Sequence, residues 1–343
     1  MSSEILIALL HFVVAFFVCL WLTKKWINVA KRQGLVGKDM NKPSQPGKPG
    51  KAGKQPLIPE AGGIAVVMTI VLTLLLYIFF KTFILKTESH LLEVEALIIT
   101  LLLACFIGFV DDILGWKKGI SGWKKLMLSI PIAIPLAVIN AGHSTMSLPF
   151  LGSINFGLLY PLLLVPLGII GATNGYNMLA GYNGLEAGLG VIIFASLGVI
   201  SLITGQPWLA MIAGIIVLSL IAFLIYNWYP AKVFPGNGLT LGLGSLIACF
   251  AILGNMERAA VILFIPFIIE GILKARSNFK AENFAKQSEL GLTKPYKKIY
   301  SLTHAALALL NKIKKKTTEL DVVLSLYAFE LVFVVLAFLS LSI

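Results

Sequence analysis

Long apolar runs alternate with polar or glycine- and proline-containing breaks over the whole chain. Bounding each run by its nearest charges and breakers gives ten, at residues 5–28, 62–80, 94–110, 126–141, 157–174, 185–204, 208–227, 239–253, 259–273 and 321–342. Crossing a hydrocarbon layer takes roughly 20 residues of helix. The pattern therefore predicts an all-α, polytopic membrane protein with about ten transmembrane helices.

Lys and Arg test the topology, because in a polytopic protein they gather on the cytoplasmic side. When the connections are numbered alternately, one side holds Lys24, Lys25, Lys31, Arg32, Lys38, Lys42, Lys48, Lys51 and Lys54. It also holds Lys117, Lys118, Lys124, Lys125, Lys232 and the tract from Lys274 to Lys316, against only Lys81, Lys86 and Arg258 on the other. That asymmetry puts both termini outside, the basic loops in the cytoplasm, and an even number of spans between. The composition agrees: 58% of the 343 residues are hydrophobic and 13% charged, far from the roughly 45–50% and about 25% of globular chains. A soluble enzyme, a disulfide scaffold and a disordered tail are excluded. The net charge of +12 is then topology rather than a sign of nucleic acid as a partner. Cys19, Cys105 and Cys249 lie inside apolar runs without metal or disulfide spacing. The first run starts at Ile5 with no basic segment before it, which predicts a retained span and an unprocessed chain. The expected location is a multi-pass protein of the plasma membrane, if the source is prokaryotic.

The whole chain reads as one integral-membrane domain with two basic cytoplasmic loops, 30–60 and 274–320. Gly34 to Glu60 is rich in Pro, Gly and Lys and too polar to span. In Tyr300–Lys316, Leu302, Ala306, Leu309, Leu310 and Ile313 recur at helical spacing beside Lys312, Lys314, Lys315 and Lys316. That pattern predicts an amphipathic helix lying on anionic headgroups, with a helix packed on other loops as the alternative.

Candidate chemistry falls in three places, all on the predicted cytoplasmic side. Asp111 and Asp112 close the third run; paired carboxylates there are costly unless they meet a cation, either a substrate's or Lys117 and Lys118. Thr173 to Glu186 offers Asn174, Asn177 and Asn183 with three glycines, which suit either a metal-bound polyphosphate and a flat base or an ordinary tight turn. Tyr226 to Gly242 sends a glycine-rich stretch into a helix whose first amides favour phosphate, while Trp228 and Tyr229 suit an interfacial belt. Acids, amides and many cations on one face suit a magnesium-bridged pyrophosphate, with carboxylates on the metal and Lys and Arg on phosphate oxygens.

These motifs also carry a resemblance. Gly37–Lys42 followed by Ile58-Pro59-Glu60, the Asp111-Asp112 pair, Lys125-Leu126, Asn174 to Gly188, and Asn227 to Phe234 resemble the polyprenyl-phosphate N-acetylhexosamine-1-phosphate transferases. Within them the chain is most similar to the eukaryotic and archaeal dolichyl-phosphate GlcNAc-1-phosphate transferases, because Asn183-Gly184 stands where bacterial relatives usually carry Asp-Gly. Nearly the whole chain is covered. The resemblance implies ten spans, a cytoplasmic active site, and transfer of GlcNAc-1-phosphate from UDP-GlcNAc to dolichyl phosphate or another polyprenyl phosphate, with release of UMP. It implies Mg2+, with Mn2+ as a substitute. Asp111 and Asp112 would bind or activate the acceptor phosphate, Lys125 would touch phosphates, and Asn177 would ligate the metal. Phe234, Asn183 and Gly181 would hold the uracil, Glu60 would lie near the nucleotide sugar, and Asn174 and Glu186 belong to the same substrate-binding stretch. Arg276 and His304, in the tract where bacterial relatives have a His-x-His triplet, are candidates for the sugar phosphate or N-acetyl group.

One residue departs from the pattern. Asn237 stands where the family has a metal-ligating Asp, so an oxygen ligand is kept and one negative charge is lost. The sequence thus leaves an active enzyme beside a catalytically impaired relative. A lipid or ion transporter is the other class; it would place polar residues near the bilayer midplane, where Glu270 and Glu330 are the residues to inspect. Membrane lipids are the remaining expected partners, and a homodimer is left open.

Overall fold

A computed structural model describes residues 3–42, 56–118, 122–148, 152–288 and 291–342. Lys48, Lys51 and Lys54 fall outside the described residues, as do the side chains of Lys117 and Lys118. The helices are α1 (Ser3–Gln33), α2 (Gly63–Phe79), α3 (Leu91–Lys118), α4 (Gly122–Leu128), α5 (Ile130–Val138), α6 (Val165–Met178) and α7 (Leu185–Ile203). They continue as α8 (Pro207–Asn227), α9 (Gly236–Leu253), α10 (Glu257–Leu263), α11 (Ile265–Ala275), α12 (Leu302–Ile313) and α13 (Glu319–Leu339). Three short antiparallel hairpins join them: β1 (Val36–Lys38) with β2 (Leu57–Pro59), β3 (Thr145–Leu148) with β4 (Gly152–Asn155), and β5 (Lys286–Ser288) with β6 (Gly291–Thr293).

Seven helices among the described residues are single, apolar and long enough to cross a bilayer: α1, α2 with its extension to Leu85, α3, α7, α8, α9 and α13. The protein is a polytopic all-α membrane protein. The three other expected runs form broken helices rather than straight spans, and each contains proline, which removes an intrahelical donor and crowds the preceding turn. Residues 126–141 divide into α4 and α5 around Ser129, before Pro131 and Pro135; 259–273 divide into α10 and α11 before Pro266; and the run at 157–174 starts with a wider turn at Tyr160–Leu164 holding Pro161. Two loop boundaries also move. Helix α1 continues through Lys31 and Arg32, so the expected loop at 30–60 starts later, and α3 continues to Lys118, so the acid pair lies within a helix rather than at its end.

The helix α9 is the axis of the bundle, buried from Gly238 to Ile252 between α3, α6 and α2. Small residues allow backbones to approach closely where lipid supplies no hydrophobic drive between helices. A Cβ added to Gly108 of α3 would lie 2.4 Å from the backbone of Asn237, and one added to Gly244 of α9 would lie 2.4 Å from the Ala172 carbonyl of α6. Helix α1, by contrast, exposes Leu6, Val13, Phe17 and Trp21, as suits a face turned to lipid. These packings bring the ends of α3, α6, α8 and α11 and the start of α9 to one end of the bundle, with the β1–β2 hairpin beside them.

Helix α12 forms within the segment where an amphipathic helix is predicted. Its first turns bury Leu302, Ala306 and Leu307 against the protein, while Leu309 and Ile313 are 58% and 72% exposed beside the lysines. Ser301 caps α12 through its hydroxyl, and Thr318 and Asp321 form a capping box at the start of α13.

Candidate functional site

The acid pair faces the N-terminus of α9. Gly236 starts that helix at φ +72°, and a Cβ there would lie 2.4 Å from Asp112 Oδ2; only glycine fits the turn and the carboxylate together. Asp112 Oδ1 accepts the Asn237 backbone N–H at 2.9 Å. The helix start that was expected to offer open amides to phosphate thus already caps itself with a carboxylate, a favourable pairing with the positive dipole end. Asp112 Oδ2 is buried without a hydrogen-bond partner. Asp111 is paired twice, accepting from Lys125 Nζ at 2.6 Å and from Asn237 Nδ2 at 2.7 Å. Lys125, expected to touch phosphates, is thus paired with Asp111.

Asn237 lines a polar cavity of about 250 Å³ together with Lys38, Asp39, Met40, Glu60, Asn177, the Ala180–Asn183 turn, Glu186, Phe234, Thr240 and Phe284. Asn177 Oδ1 accepts from the Thr240 hydroxyl at 2.7 Å, which fixes the amide with its oxygen toward α9. Glu186 is buried, receives the Gly181 N–H at 2.7 Å through Oε1 and leaves Oε2 unpartnered. Glu60 packs directly over Gly37, where a Cβ would come within 1.9 Å of Oε1. Asn183 is held from two sides: its N–H donates to Glu319 Oε1 at 2.7 Å and its Nδ2 to Asp39 at 3.3 Å, while Lys42 pairs with Asp39 at 2.8 Å. Burial pushes the Tyr182 phenol well above its ordinary value, so it stays a neutral donor, here to the Asn283 carbonyl at 3.3 Å.

A second, apolar cavity of about 590 Å³ runs along α6, α9, α10 and α11, from Leu126, Asn174, Gly175 and Met178 near the acids to Tyr160 and Glu257 toward the far end of the bundle. The two cavities divide at the last turn of α6, where Asn177 faces the polar one and Asn174 and Met178 the apolar one. Asp111 and Lys125 stand beside that division.

Most of the expected residues converge: Glu60, Asn177, Gly181, Asn183, Glu186, Phe234 and Asn237 share the polar cavity, with Asp111, Asp112 and Lys125 behind Asn237. Three stand apart from its lining. Asn174 faces the apolar cavity and donates to Ser129 Oγ at 3.1 Å; Arg276 is exposed and donates to the Ile299 carbonyl at 3.3 Å; His304 is buried behind Asn283 with Nε2 unpartnered. Sequence reasoning did not single out Lys38, Asp39, Glu319 or Phe284. Asp39 was visible within the Gly37–Lys42 motif, whereas Glu319 and Phe284 carried no signal.

His304 gives a pH expectation. Burial, with Lys274 and Lys294 adding to it, lowers its pKa to about 4, against about 6.5 in an unfolded chain. The unfolded state then binds more protons between those values, so the contribution is complete above about pH 6.5 and lost as pH falls toward 4. The thermal midpoint should drop over that window, and His304→Phe should flatten the drop; equal slopes in both proteins would refute it.

Among the described residues no group of three or more His, Cys, Asp or Glu side chains gathers as metal ligands. What this end of the bundle holds is the unpartnered Asp112 Oδ2 behind Gly236 and the amide groups of Asn177 and Asn237 in the cavity lining. A sparse set of hard oxygen donors fits Mg2+, which is usually held by one or two carboxylates plus water and substrate phosphates, and does not fit zinc.

The fold and site together define a polytopic membrane protein that sets an acid-and-amide centre between a polar cavity and a long apolar one. The signature of glycosyl transferase family 4 matches residues 94–255. Over 337 residues the chain is 37% identical to a protein of Saccharolobus solfataricus named, by inference, a UDP-N-acetylglucosamine–dolichyl-phosphate N-acetylglucosaminephosphotransferase, covering 97% of each. It is 30% identical to the UDP-N-acetylglucosamine–dolichyl-phosphate N-acetylglucosaminephosphotransferase of Dictyostelium discoideum, over 71% of this chain and 65% of that one. It is 31% identical to a phospho-N-acetylmuramoyl-pentapeptide-transferase of Halalkalibacterium halodurans, over 62% of this chain and 66% of that one. The chain belongs to glycosyl transferase family 4.

Proposed function

We propose that the protein transfers GlcNAc-1-phosphate from UDP-GlcNAc to dolichyl phosphate or another polyprenyl phosphate, giving the lipid diphosphate sugar and UMP. The observation that carries this reading is that a polar and a long apolar cavity lie on either side of the last turn of α6. A substrate pair made of one nucleotide and one long lipid phosphate needs a polar and an apolar cavity side by side at the reacting centre. The apolar cavity takes the first isoprene units, and the polar cavity takes the nucleotide sugar.

An oxygen of the acceptor phosphate attacks the sugar-linked phosphorus of UDP-GlcNAc, and the bridging P–O bond breaks to release UMP. The attacking phosphate has a second pKa near 6 and is mostly dianionic at pH 7, so no strong base is needed. Catalysis is positioning and charge neutralisation. Lys125, oriented by Asp111, neutralises phosphate oxygens; Asp112 fixes the start of α9 and with it Asn237. Asp112, Asn177 and Asn237 would hold Mg2+, which supplies charge neutralisation on the diphosphate when bound. The site end of the bundle carries most of the lysines, which supports a cytoplasmic location for it. The transporter reading is not favoured: Asp39, Glu60, Glu186, Asn177, Asn183 and Asn237 gather in the polar cavity at one end of the bundle, while the apolar cavity carries Glu257 toward the other.

The test is UMP release from UDP-GlcNAc plus dolichyl phosphate by the purified full chain. Release should require the lipid phosphate and Mg2+ and stop with EDTA. UMP formed without the lipid, or no UMP at any Mg2+ concentration, would reject the reading.

A further inference from the structure

The end of the bundle away from the acid pair holds a third cavity, of about 310 Å³. Four helix ends meet around it: the start of α3 with His90 and Glu93, the segment after α5 with Asn140 and His143, the start of α8 with Gln206 and Trp208, and the turn after α9 with Asn255. Helix α9, 18 residues long, runs from the Asn237 end of the bundle to this one, a distance of roughly 27 Å. The lining is polar but short of charge. Glu93 is its one carboxylate, and no Lys or Arg lines it. Two amide oxygens are already used: Gln206 Oε1 accepts from Trp208 Nε1 at 3.0 Å, and Asn255 Oδ1 accepts the His143 N–H at 3.2 Å. The NH2 groups of Gln206 and Asn255 have no hydrogen-bond partner among the described residues, and neither do the Asn140 amide and the His143 ring. The His90 ring lies flat on the Trp208 indole, with 4.5 Å between centroids, and its Nδ1 is 3.5 Å from Glu93 Oε1.

We propose that this cavity is a second binding site, separate from the transferase centre, for an uncharged sugar: a free saccharide or the sugar head of a glycolipid. The unused groups of the lining select that class. A metal ion needs gathered ligands, and among the described residues no three His, Cys, Asp or Glu side chains come together to hold one. An anion would meet Glu93 with no Lys or Arg to offset it. An amine would find Glu93 but face the NH2 groups of Gln206 and Asn255. A wholly apolar ligand would bury those amides and the carboxylate unpaired. Hydroxyl groups both donate and accept, so a ring of them pairs with the amide N–H groups and with Glu93 at once. Its C–H face finds Leu92, Ile139 and Leu253. The volume stands at the lower end of the roughly 300–1,000 Å³ of small-molecule sites, which suits one or two sugar rings rather than a longer chain.

The test uses the purified full chain in phosphatidylcholine nanodiscs, prepared without a glycosidic detergent. Saturation-transfer NMR and calorimetry measure binding of glucose, N-acetylglucosamine and glucuronate; neither depends on turnover. The two neutral sugars should bind with Kd on the order of 1 mM, and glucuronate at least about tenfold more weakly. Asn255 has φ +48°, so Asn255→Gly keeps the turn while removing the amide. That variant and His143→Ala should each weaken the neutral sugars about tenfold, the worth of roughly one hydrogen bond. Glu93→Gln should bring glucuronate to within about threefold of glucose, because it removes the one charge that opposes the acid. His143 is exposed, so its variant keeps the test open should Asn255→Gly fail to fold, which thermal melts report. Discs that contain monoglucosyl diacylglycerol separate the two sources: the lipid displaces free glucose from a headgroup site and leaves a saccharide site occupied. No binding of either neutral sugar would overturn the proposal. So would glucuronate binding as well as glucose in the unaltered chain, or sugar binding that ignores all three substitutions and therefore lies elsewhere.

Discussion

Asp112→Asn is expected to lower the rate of UMP release by about a thousandfold, within the range seen when a charge-stabilising group is removed from an active centre, and to leave the thermal midpoint nearly unchanged. The two effects separate because the carboxylate does two jobs with two oxygens. Oδ1 accepts the Asn237 N–H, and an amide oxygen can take over that hydrogen bond in the same place. The bond between α3 and the start of α9 therefore survives. Oδ2 is the atom without a hydrogen-bond partner, whereas Asp111 is already paired with Lys125 and Asn237. Replacing Oδ2 by an NH2 group removes both the charge and an oxygen from the place where the proposed Mg2+ would be held. UMP release and a thermal melt on the same preparation check the expectation. Activity within about tenfold of the unaltered chain would mean that Asp112 is a helix cap and nothing more, because Asn and Asp cap helix starts about equally well.

Much of this arrangement was legible in the sequence, and the reasons differ by residue. Asp111 and Asp112 were visible because paired carboxylates at the edge of an apolar run are costly, whereas Asn177, Asn183 and Asn237 stood out only through the family resemblance, since Asn and Gly are also ordinary turn residues. The breaks in the runs at 126–141 and 259–273 follow from Pro131, Pro135 and Pro266, yet a run counted by hydrophobicity alone passes straight over them. Glu319 and Phe284 were not legible. They reach the site only through loop contacts, as in the bond from Asn183 to Glu319, 136 residues away in sequence, and nothing in local periodicity reports such a contact. The apolar cavity was equally hidden: a residue such as Ile247 or Val261 reads the same whether it touches a neighbouring helix, a lipid or a bound isoprene. Arg276 and His304 drew notice as the charged and titratable groups of the basic tract, but their backbone positions put them outside the cavity lining, beyond a segment whose Asn283 and Phe284 do the contacting.

Asn237→Asp should make the protein depend on magnesium for its stability as well as its activity. In the unaltered chain Asn237 Nδ2 donates to Asp111 at 2.7 Å, and Lys125 is the only cation bonded to the pair among the described residues. A carboxylate at 237 turns that donor into an acceptor and places a third negative charge against Asp111 and Asp112. Two like charges about 4 Å apart repel by roughly 1 kcal/mol in water and about 4 kcal/mol at the effective dielectric of a protein surface. Without a cation the variant should therefore melt several degrees below the unaltered chain. With Mg2+ the same charge becomes attraction, and the half-activating concentration should fall about tenfold, which corresponds to about 1.4 kcal/mol. The unaltered chain should still turn over, because an amide oxygen remains a ligand and substrate phosphates supply further ones. Its melt should respond less to EDTA than the variant's. Magnesium titrations of UMP release, with melts in EDTA and in Mg2+ for both proteins, decide the matter. Equal half-activating concentrations together with equal EDTA sensitivity would mean that residue 237 does not touch the metal. Activity confined to Asn237→Asp would mean instead that the missing charge is what holds this chain inactive.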